Sequence, residues 1–127
     1  MSQVLTELHM LRGPSSLFLS KKRNEAFPFE DQGLIEGLCR KHDAALFAFG
    51  NNSKKRPNNL IIGRTYNWQV LDMAEFAVED FSSLEKFPAQ HVIKGHKPLL
   101  LFQGEPFESS DVFVRLKNLF IGTRRVR

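Results

Sequence analysis

The sequence is poor in cysteine and in long apolar runs, and each absence removes a class of protein. The single cysteine, Cys39, excludes an internal disulfide, which is typical of proteins from reducing compartments. The longest apolar run, around Leu99 to Phe102, is far shorter than the roughly 20 residues that a membrane-spanning helix needs. No secretory signal opens the chain. We therefore expect a soluble intracellular protein with no membrane contact.

Motifs that bind phosphate, activate a nucleophile or hold a metal are also missing. The stretch GNNSKKR (50–56) lacks the second glycine and the Lys-Ser/Thr pair of a P-loop. No serine lies in a Gly-x-Ser-x-Gly elbow. Cys39 with His42, and His91 with His96, superficially resemble a zinc ligand set, but the spacing of a zinc finger is not met. We predict a protein that is not an enzyme and that binds no metal or other cofactor.

Basic residues outnumber acidic ones, and the two signs are concentrated in different stretches. With 18 Lys and Arg against 14 Asp and Glu, the 127-residue chain carries a net charge of +4. A basic surplus favours an anionic partner, of which nucleic acid is the commonest. The charged residues of 51–68 are all basic, whereas those of 65–85 are all acidic. The pattern indicates either two surfaces with different partners or two solvated faces.

The spacing of apolar residues predicts three helices in a single domain. The first covers residues 3–12 and ends at Gly13-Pro14, because glycine followed by proline stops a helix. The second is capped by Asp31, and the third by Ser109 or Ser110. The predicted inner faces are Val4, Leu8 and Leu11 in the first helix, Leu34, Ile35, Leu38 and His42 in the second, and Val112, Phe113, Leu116, Leu119 and Phe120 in the third.

Short apolar runs bounded by turn residues predict strands between these helices. They lie at 16–19, 45–49, 60–63 and 99–102, and Pro98 opens the last of them. Residues 69–81 fit a helix and a strand about equally well. Interleaved helices and strands predict an α/β or α+β fold with a mixed sheet.

The loop that joins the strands at 45–49 and 60–63 is the first candidate site. It is polar apart from one proline and places three cations side by side, and the nearest acidic residues in sequence are Asp43 and Asp72. We predict that these cations have no internal partner and contact phosphates of nucleic acid. The predicted RNA-contacting residues are Lys54, Lys55, Arg56, Asn58, Asn59 and Arg64, followed by Lys21, Lys22 and Arg23.

The acidic stretch is the second candidate site. RNA phosphates are repelled by carboxylates, so a partner of this surface is expected to be a protein, and a basic one. The rival hypothesis for the whole chain is a protein–protein scaffold that binds no RNA directly. The predicted partner-binding residues are Asp72, Glu75, Glu79 and Asp80.

Several stretches of the chain together resemble the ribosome production factor group of the Brix-domain family. The resemblance runs from about Val4 to Phe120 and is specific in the combination of KKRPNN with VLDM. The matching stretches are PFED (28–31), DAALFAFG (43–50), KKRPNNLIIGR (54–64), VLDM (70–73) and LLLFQGEPFES (99–109).

This resemblance implies a function that the residues alone do not reveal. Members of the group are nucleolar, non-enzymatic assembly factors of the large (60S) ribosomal subunit. They contact 5S rRNA and pre-rRNA and act with the regulator of ribosome synthesis protein. Together the two bring the 5S ribonucleoprotein, with its ribosomal proteins, into the pre-60S particle.

The resemblance also implies a fold. A Brix domain consists of two similar α/β halves, each similar to the anticodon-binding domain of class IIa aminoacyl-tRNA synthetases. By this likeness residues 69–81 are mainly extended. Residues 1–127 then correspond to the N-terminal half of a Brix domain, with the second half absent.

Overall fold

The computed structural model describes residues 1–19, 26–87 and 99–123, in which three consecutive strands lie between an N-terminal and a C-terminal group of helices. The chain divides into two compact units, Met1–Lys86 and Phe87–Arg127. None of the helices in the described residues is long and apolar enough to cross a bilayer. The elements are α1 (Ser2–Arg12), α2 (Gly33–Lys41), β1 (Leu46–Asn51), β2 (Asn59–Tyr66), β3 (Gln69–Ala77), α3 (Pro106–Ser109) and α4 (Asp111–Thr123), with short 3-10 turns at Gly13–Ser15 and Leu84–Lys86.

The three strands of the first unit form an antiparallel sheet in the order β1-β2-β3. In the β1–β2 pair, Leu46 lies opposite Arg64. In the β2–β3 pair, Asn59 lies opposite Ala77. The α/β class is confirmed, as is the extended conformation of residues 69–77. The predicted mixed sheet is wrong for the described residues, because hairpins join consecutive strands and make every pair antiparallel.

The central strand β2 supplies most of the buried surface of the sheet. Leu60 is 8% exposed and Ile61 3% exposed, and they point to opposite faces because side chains alternate along a strand. On the Leu60 face, Leu5 of α1 and its N-cap residue Met1 lie against Gly50 of β1, where the lack of a side chain admits them. Both faces are therefore covered in the first half of β2, which explains the apolar run at residues 60–63.

Helix α1 ends as predicted, but the chain that follows it is not a strand. Gly13 adopts φ +66°, a left-handed conformation that glycine tolerates best. The hydroxyl oxygen of Ser16 then lies 2.6 Å from Nδ1 of His9, and the ring of Phe18 stacks on that of His9. Residues 16–19 thus fold back on the helix end, and the predicted strand there is wrong. Leu11 is also exposed, against its predicted inward position.

The N-cap of helix α2 is Gln32, so the prediction of Asp31 as the cap is wrong by one residue, although the Asp31 side chain still bonds the first turn. The side chain of Asp31 accepts a hydrogen bond from the amide of Gly33 (2.8 Å). Within the helix Ile35 is buried, while Glu36 accepts the backbone amide of Val70 at the start of β3 (2.9 Å). The helix stops at Lys41, so the predicted inward position of His42 is wrong, and that residue is exposed. Leu34 is likewise exposed.

The second unit contains an aromatic cluster where a strand was predicted. The ring centroids of Phe102 and Phe107 are 5.4 Å apart, and Phe113 of α4 meets Phe107 edge-on at 5.3 Å. Leu99 and Leu101 are exposed. The predicted strand at 99–102 is therefore wrong, because these residues pair with no strand among the described residues. Pro98 lies outside those residues.

Helix α4 begins directly after Ser110, one of the two predicted caps. The carbonyl oxygen of Ser110 accepts the amide of Val114 (2.9 Å). Leu119 is buried at 2% exposure, as its predicted inner position requires. Val112 is 65% exposed, so its predicted inner position is wrong.

Candidate nucleic-acid interface

The loop at residues 52–58 is held in shape by its own polar groups. The hydroxyl of Ser53 accepts the amide of Arg56, and the amide of Ser53 donates to the Arg56 carbonyl, both at 3.1 Å. The side chain of Asn52 accepts the amide of Asn58 (3.2 Å). Asn58 itself adopts φ +48°, a conformation that asparagine tolerates better than most residues. The asparagines that flank the cations therefore fix the loop.

Lys54 and Lys55 lie at the tip of this loop and are exposed. Neither forms an ion pair with any residue that the structure describes. Their ammonium groups are strongly hydrated point charges that can approach a phosphate without first leaving a carboxylate. Of the predicted RNA-contacting cations in this loop, Lys54 and Lys55 are therefore the two that are available to a phosphate.

Arg56 is already paired. Its Nη1 atom lies 2.6 Å from Oε1 of Glu75 on β3, and Nδ2 of Asn59 donates to the same oxygen at 2.7 Å. The expectation that the loop cations have no internal partner is therefore wrong for Arg56. Asn59 is 5% exposed, so it is a core residue of β2 that orients Glu75. Contact of Arg56 or Asn59 with RNA stays a prediction.

Arg64 forms the second ion pair, and its geometry is bidentate. Its Nε and Nη2 atoms donate to the two carboxylate oxygens of Asp72 at 2.8 and 2.6 Å. The two residues face each other across the β2–β3 ladder. The hydrogen bond to Asp72 raises the pKa of the Arg64 guanidinium above its ordinary value. A cation fixed in this way is engaged by its own protein, and its contact with RNA stays a prediction.

The structure also separates Arg64 from the loop. Arg64 lies five positions beyond Asn59 along β2, which is roughly 17 Å at 3.3 Å per residue. Lys54 and Lys55 thus lie at one end of the sheet and Arg64 near the other. Lys21, Lys22 and Arg23, which complete the predicted set, lie outside the described residues.

The predicted partner-binding carboxylates divide into two kinds. Asp72 is the cross-strand partner of Arg64, and Glu75 on β3 is paired with Arg56 of the loop. Glu79 and Asp80 follow β3, are exposed, and form no ion pair within the described part of the chain. The basic and acidic stretches of the sequence therefore form one partly neutralised sheet, with free charge of each sign outside the strands.

Cys39 has the environment of a structural thiol. It is 4% exposed, and burial raises its pKa, with Glu36 adding to the rise. Only the thiolate is nucleophilic, so this environment makes Cys39 inert. Its predicted neighbour His42 is exposed, and His91 and His96 lie outside the described residues. Among the residues that the structure describes, no three potential ligands group closely enough to hold a metal ion.

We expect Cys39 to resist thiol reagents in the folded protein. At pH 7 to 8 the native chain should react with a maleimide or a disulfide reagent many times more slowly than the chain in urea, because the thiol is both buried and protonated. Mass spectrometry of timed samples gives the two rates. Equal rates in the two conditions would contradict the burial of this residue.

Comparison with known proteins places the chain in a family. Residues 1–125 match the Brix domain, and the chain belongs to the Brix-domain family. Within that family it is similar to proteins named Ribosome production factor 2 homolog, which confirms the resemblance seen in the sequence. It is 46% identical to the Mus musculus protein, with 94% of this chain and 39% of the relative covered.

The similarity extends across distant organisms. The Schizosaccharomyces pombe protein is 39% identical, over 93% of this chain and 37% of the relative. The Arabidopsis thaliana protein is 36% identical, over 94% of this chain and 40% of the relative. The chain therefore spans about two fifths of the length of these curated relatives.

Proposed function

We propose that this chain is part of a ribosome assembly factor that binds RNA and protein and catalyses no reaction. Membership of the Brix-domain family and similarity to ribosome production factors support the assembly role. The observation that carries the RNA contact is the pair of exposed, unpaired lysines at the tip of a self-locked loop, Lys54 and Lys55.

The physical argument for RNA rests on how the loop presents charge. Two adjacent like charges repel each other and contribute nothing to folding, so they are favourable only where an anion or water meets them. A phosphate backbone supplies closely spaced negative charges, and its release of counterions provides the free energy of binding. Because Asn52 and Ser53 already hold the loop, little conformational entropy remains to be lost on contact.

The same proposal includes the identity of the RNA, the protein partners and the place of action. The RNA is 5S rRNA or pre-rRNA, and the protein partners are the regulator of ribosome synthesis and the ribosomal proteins of the 5S ribonucleoprotein. The place of action is the pre-60S particle in the nucleolus. The chain corresponds to the N-terminal half of a Brix domain, with the likeness to anticodon-binding domains that this implies.

A native pull-down tests this proposal most directly. The tagged chain is captured from a nuclear extract at low salt, and both the RNA and the proteins that remain bound are identified. We expect rRNA species together with large-subunit ribosomal proteins. Recovery of proteins that is unchanged by ribonuclease, with no enriched RNA, would favour the scaffold instead.

The scaffold is the second candidate function, and Glu79 with Asp80 is the observation that favours it. Both carboxylates are exposed and have no partner among the described residues, so they can attract a basic protein. Complementary charge mainly raises the association rate, and the effect weakens as salt rises.

We expect the double change Glu79→Gln and Asp80→Asn to slow capture of the basic partner recovered in the pull-down, by severalfold at low salt. RNA affinity should stay equal or rise slightly, because negative charge is lost. Surface plasmon resonance of both ligands on the same variant gives the two results. The control is Glu30→Gln with Glu108→Gln, which removes the same charge from other exposed positions. A loss of RNA binding with intact partner capture would reverse the assignment.

A further inference from the structure

Glu75 binds the one loop cation that is not free. Its Oε1 atom accepts Nη1 of Arg56 at 2.6 Å and Nδ2 of Asn59 at 2.7 Å. The two donors converge on a single oxygen, at short charge-assisted distances. The guanidinium of Arg56 is therefore directed away from the loop tip and toward the sheet.

The two members of this ion pair differ in how firmly they are held. Glu75 lies within β3, directly opposite the buried Ile61, and is further bonded by the buried Asn59. Its side chain is 29% exposed, whereas that of Arg56, which comes from the loop, is 61% exposed. The carboxylate is thus the fixed member and the guanidinium is the member that an external anion can reach.

We propose that Glu75 is an internal competitor of phosphate for Arg56, an inference that rests on the proposed contact of this loop with RNA. Glu75 is bonded to Nη1 alone and a guanidinium has five N–H donors, so the competition is electrostatic: the carboxylate offsets the charge of Arg56 and repels an approaching phosphate. Lys54 and Lys55 then supply most of the attraction for RNA, and Arg56 contributes its full charge only when it is released from Glu75.

The test is a double-mutant cycle on the full chain, with a short single-stranded oligouridylate as the probe. Glu75→Gln keeps an oxygen that accepts from Asn59 but removes the competing charge. We expect it to raise affinity about two- to fivefold, the range that an exposed ion pair supports. In an Arg56→Gln background the same change should have almost no effect, because the cation that it frees is gone.

Two controls separate the possible outcomes. Glu85→Gln removes one exposed negative charge from the same unit without touching Arg56, and it should raise affinity less than Glu75→Gln does. A gain equal to that of Glu85→Gln, or one that persists in the Arg56→Gln background, overturns the inference. Lys54→Gln with Lys55→Gln tests the loop itself. If this double change leaves RNA affinity unaltered, the proposed RNA contact and the inference fall together, whereas weakened binding with no Glu75 effect overturns the inference alone.

Discussion

Reversing both free lysines, Lys54→Glu with Lys55→Glu, should remove a large part of the salt dependence of RNA binding. Each phosphate contact to a single strand contributes about 0.7 to the slope of log affinity against log salt, so the slope should become shallower by about 1.4. Between 50 and 200 mM salt that difference amounts to roughly sevenfold in affinity. At low salt the variant should also bind more weakly, because carboxylates at the loop tip repel phosphates. Fluorescence anisotropy across a salt series measures both effects.

A charge-matched control distinguishes a local contact from the net charge of the chain. Lys41→Glu with Lys86→Glu makes the same change at two exposed lysines outside the loop. This variant should keep the slope of the unaltered protein and lose only a little affinity. Equal flattening by both variants would mean that RNA meets a diffuse positive field, and the loop would then not be a site.

Gly63→Ala should destabilise the first unit by about 1–3 kcal/mol, although it adds a single methyl group. Gly63 is buried in β2, and a Cβ atom there would meet the ring of Phe47 on one side. On the other side it would lie 2.9 Å from the backbone oxygen of Asp72 in the neighbouring strand. A side chain can rotate away, but the paired backbone of β3 cannot move without disturbing the ladder. Urea denaturation followed by circular dichroism gives the change in unfolding free energy.

The same substitution at Gly37 is the matched control, and it should have the opposite sign. Gly37 lies in α2, and apart from its chain neighbours and the backbone of its own helix no atom lies within 4 Å of its Cβ position. Alanine is favoured over glycine in a helix interior by about 0.5–1 kcal/mol, so Gly37→Ala should stabilise the protein by up to that amount. If both changes destabilise equally, close packing at Gly63 is not the cause.

Much of the sheet could be predicted from the sequence, because its strands are bounded by strong turn signals. The NNSKKRPNN loop located the β1–β2 hairpin correctly. The β2–β3 turn was harder, since Asn67 and Trp68 both adopt positive φ, at 49° and 65°. Such a two-residue turn usually contains glycine, and a tryptophan in that position gives no recognisable signal. The pattern of residues 69–81 alone therefore does not distinguish a strand from a helix, whereas the family resemblance favours a strand.

The ion pairs were missed because distance along the chain is a poor guide to distance across a sheet. Arg64 and Asp72 are eight positions apart, and Arg56 and Glu75 nineteen, yet each pair is in contact. A basic stretch followed by an acidic one in the next strand of a hairpin is itself a signal for cross-strand pairing. This signal identifies the paired residues only when the strand register is known, because a shift of one residue moves each side chain to the other face.

The two strand predictions that are wrong have a different physical explanation. Residues 16–19 and 99–102 are apolar runs of strand length, which is all that the pattern requires. A strand also needs a neighbour to satisfy its backbone hydrogen bonds, and a local pattern contains no information about that neighbour. Instead, the ring of Phe18 stacks on that of His9, and the ring of Phe102 packs against that of Phe107.

The order β1-β2-β3 has a kinetic consequence for a newly synthesised chain. In the part of the chain that the structure describes, each strand pairs only with strands next to it in sequence, so this sheet requires the closure of two short loops. Short loops cost little entropy to close, and folds dominated by such local contacts form quickly. All three strands are present once Ala77 has left the exit tunnel of the ribosome. The sheet can therefore assemble in the order of translation, with the loop of Lys54 and Lys55 formed by its first hairpin.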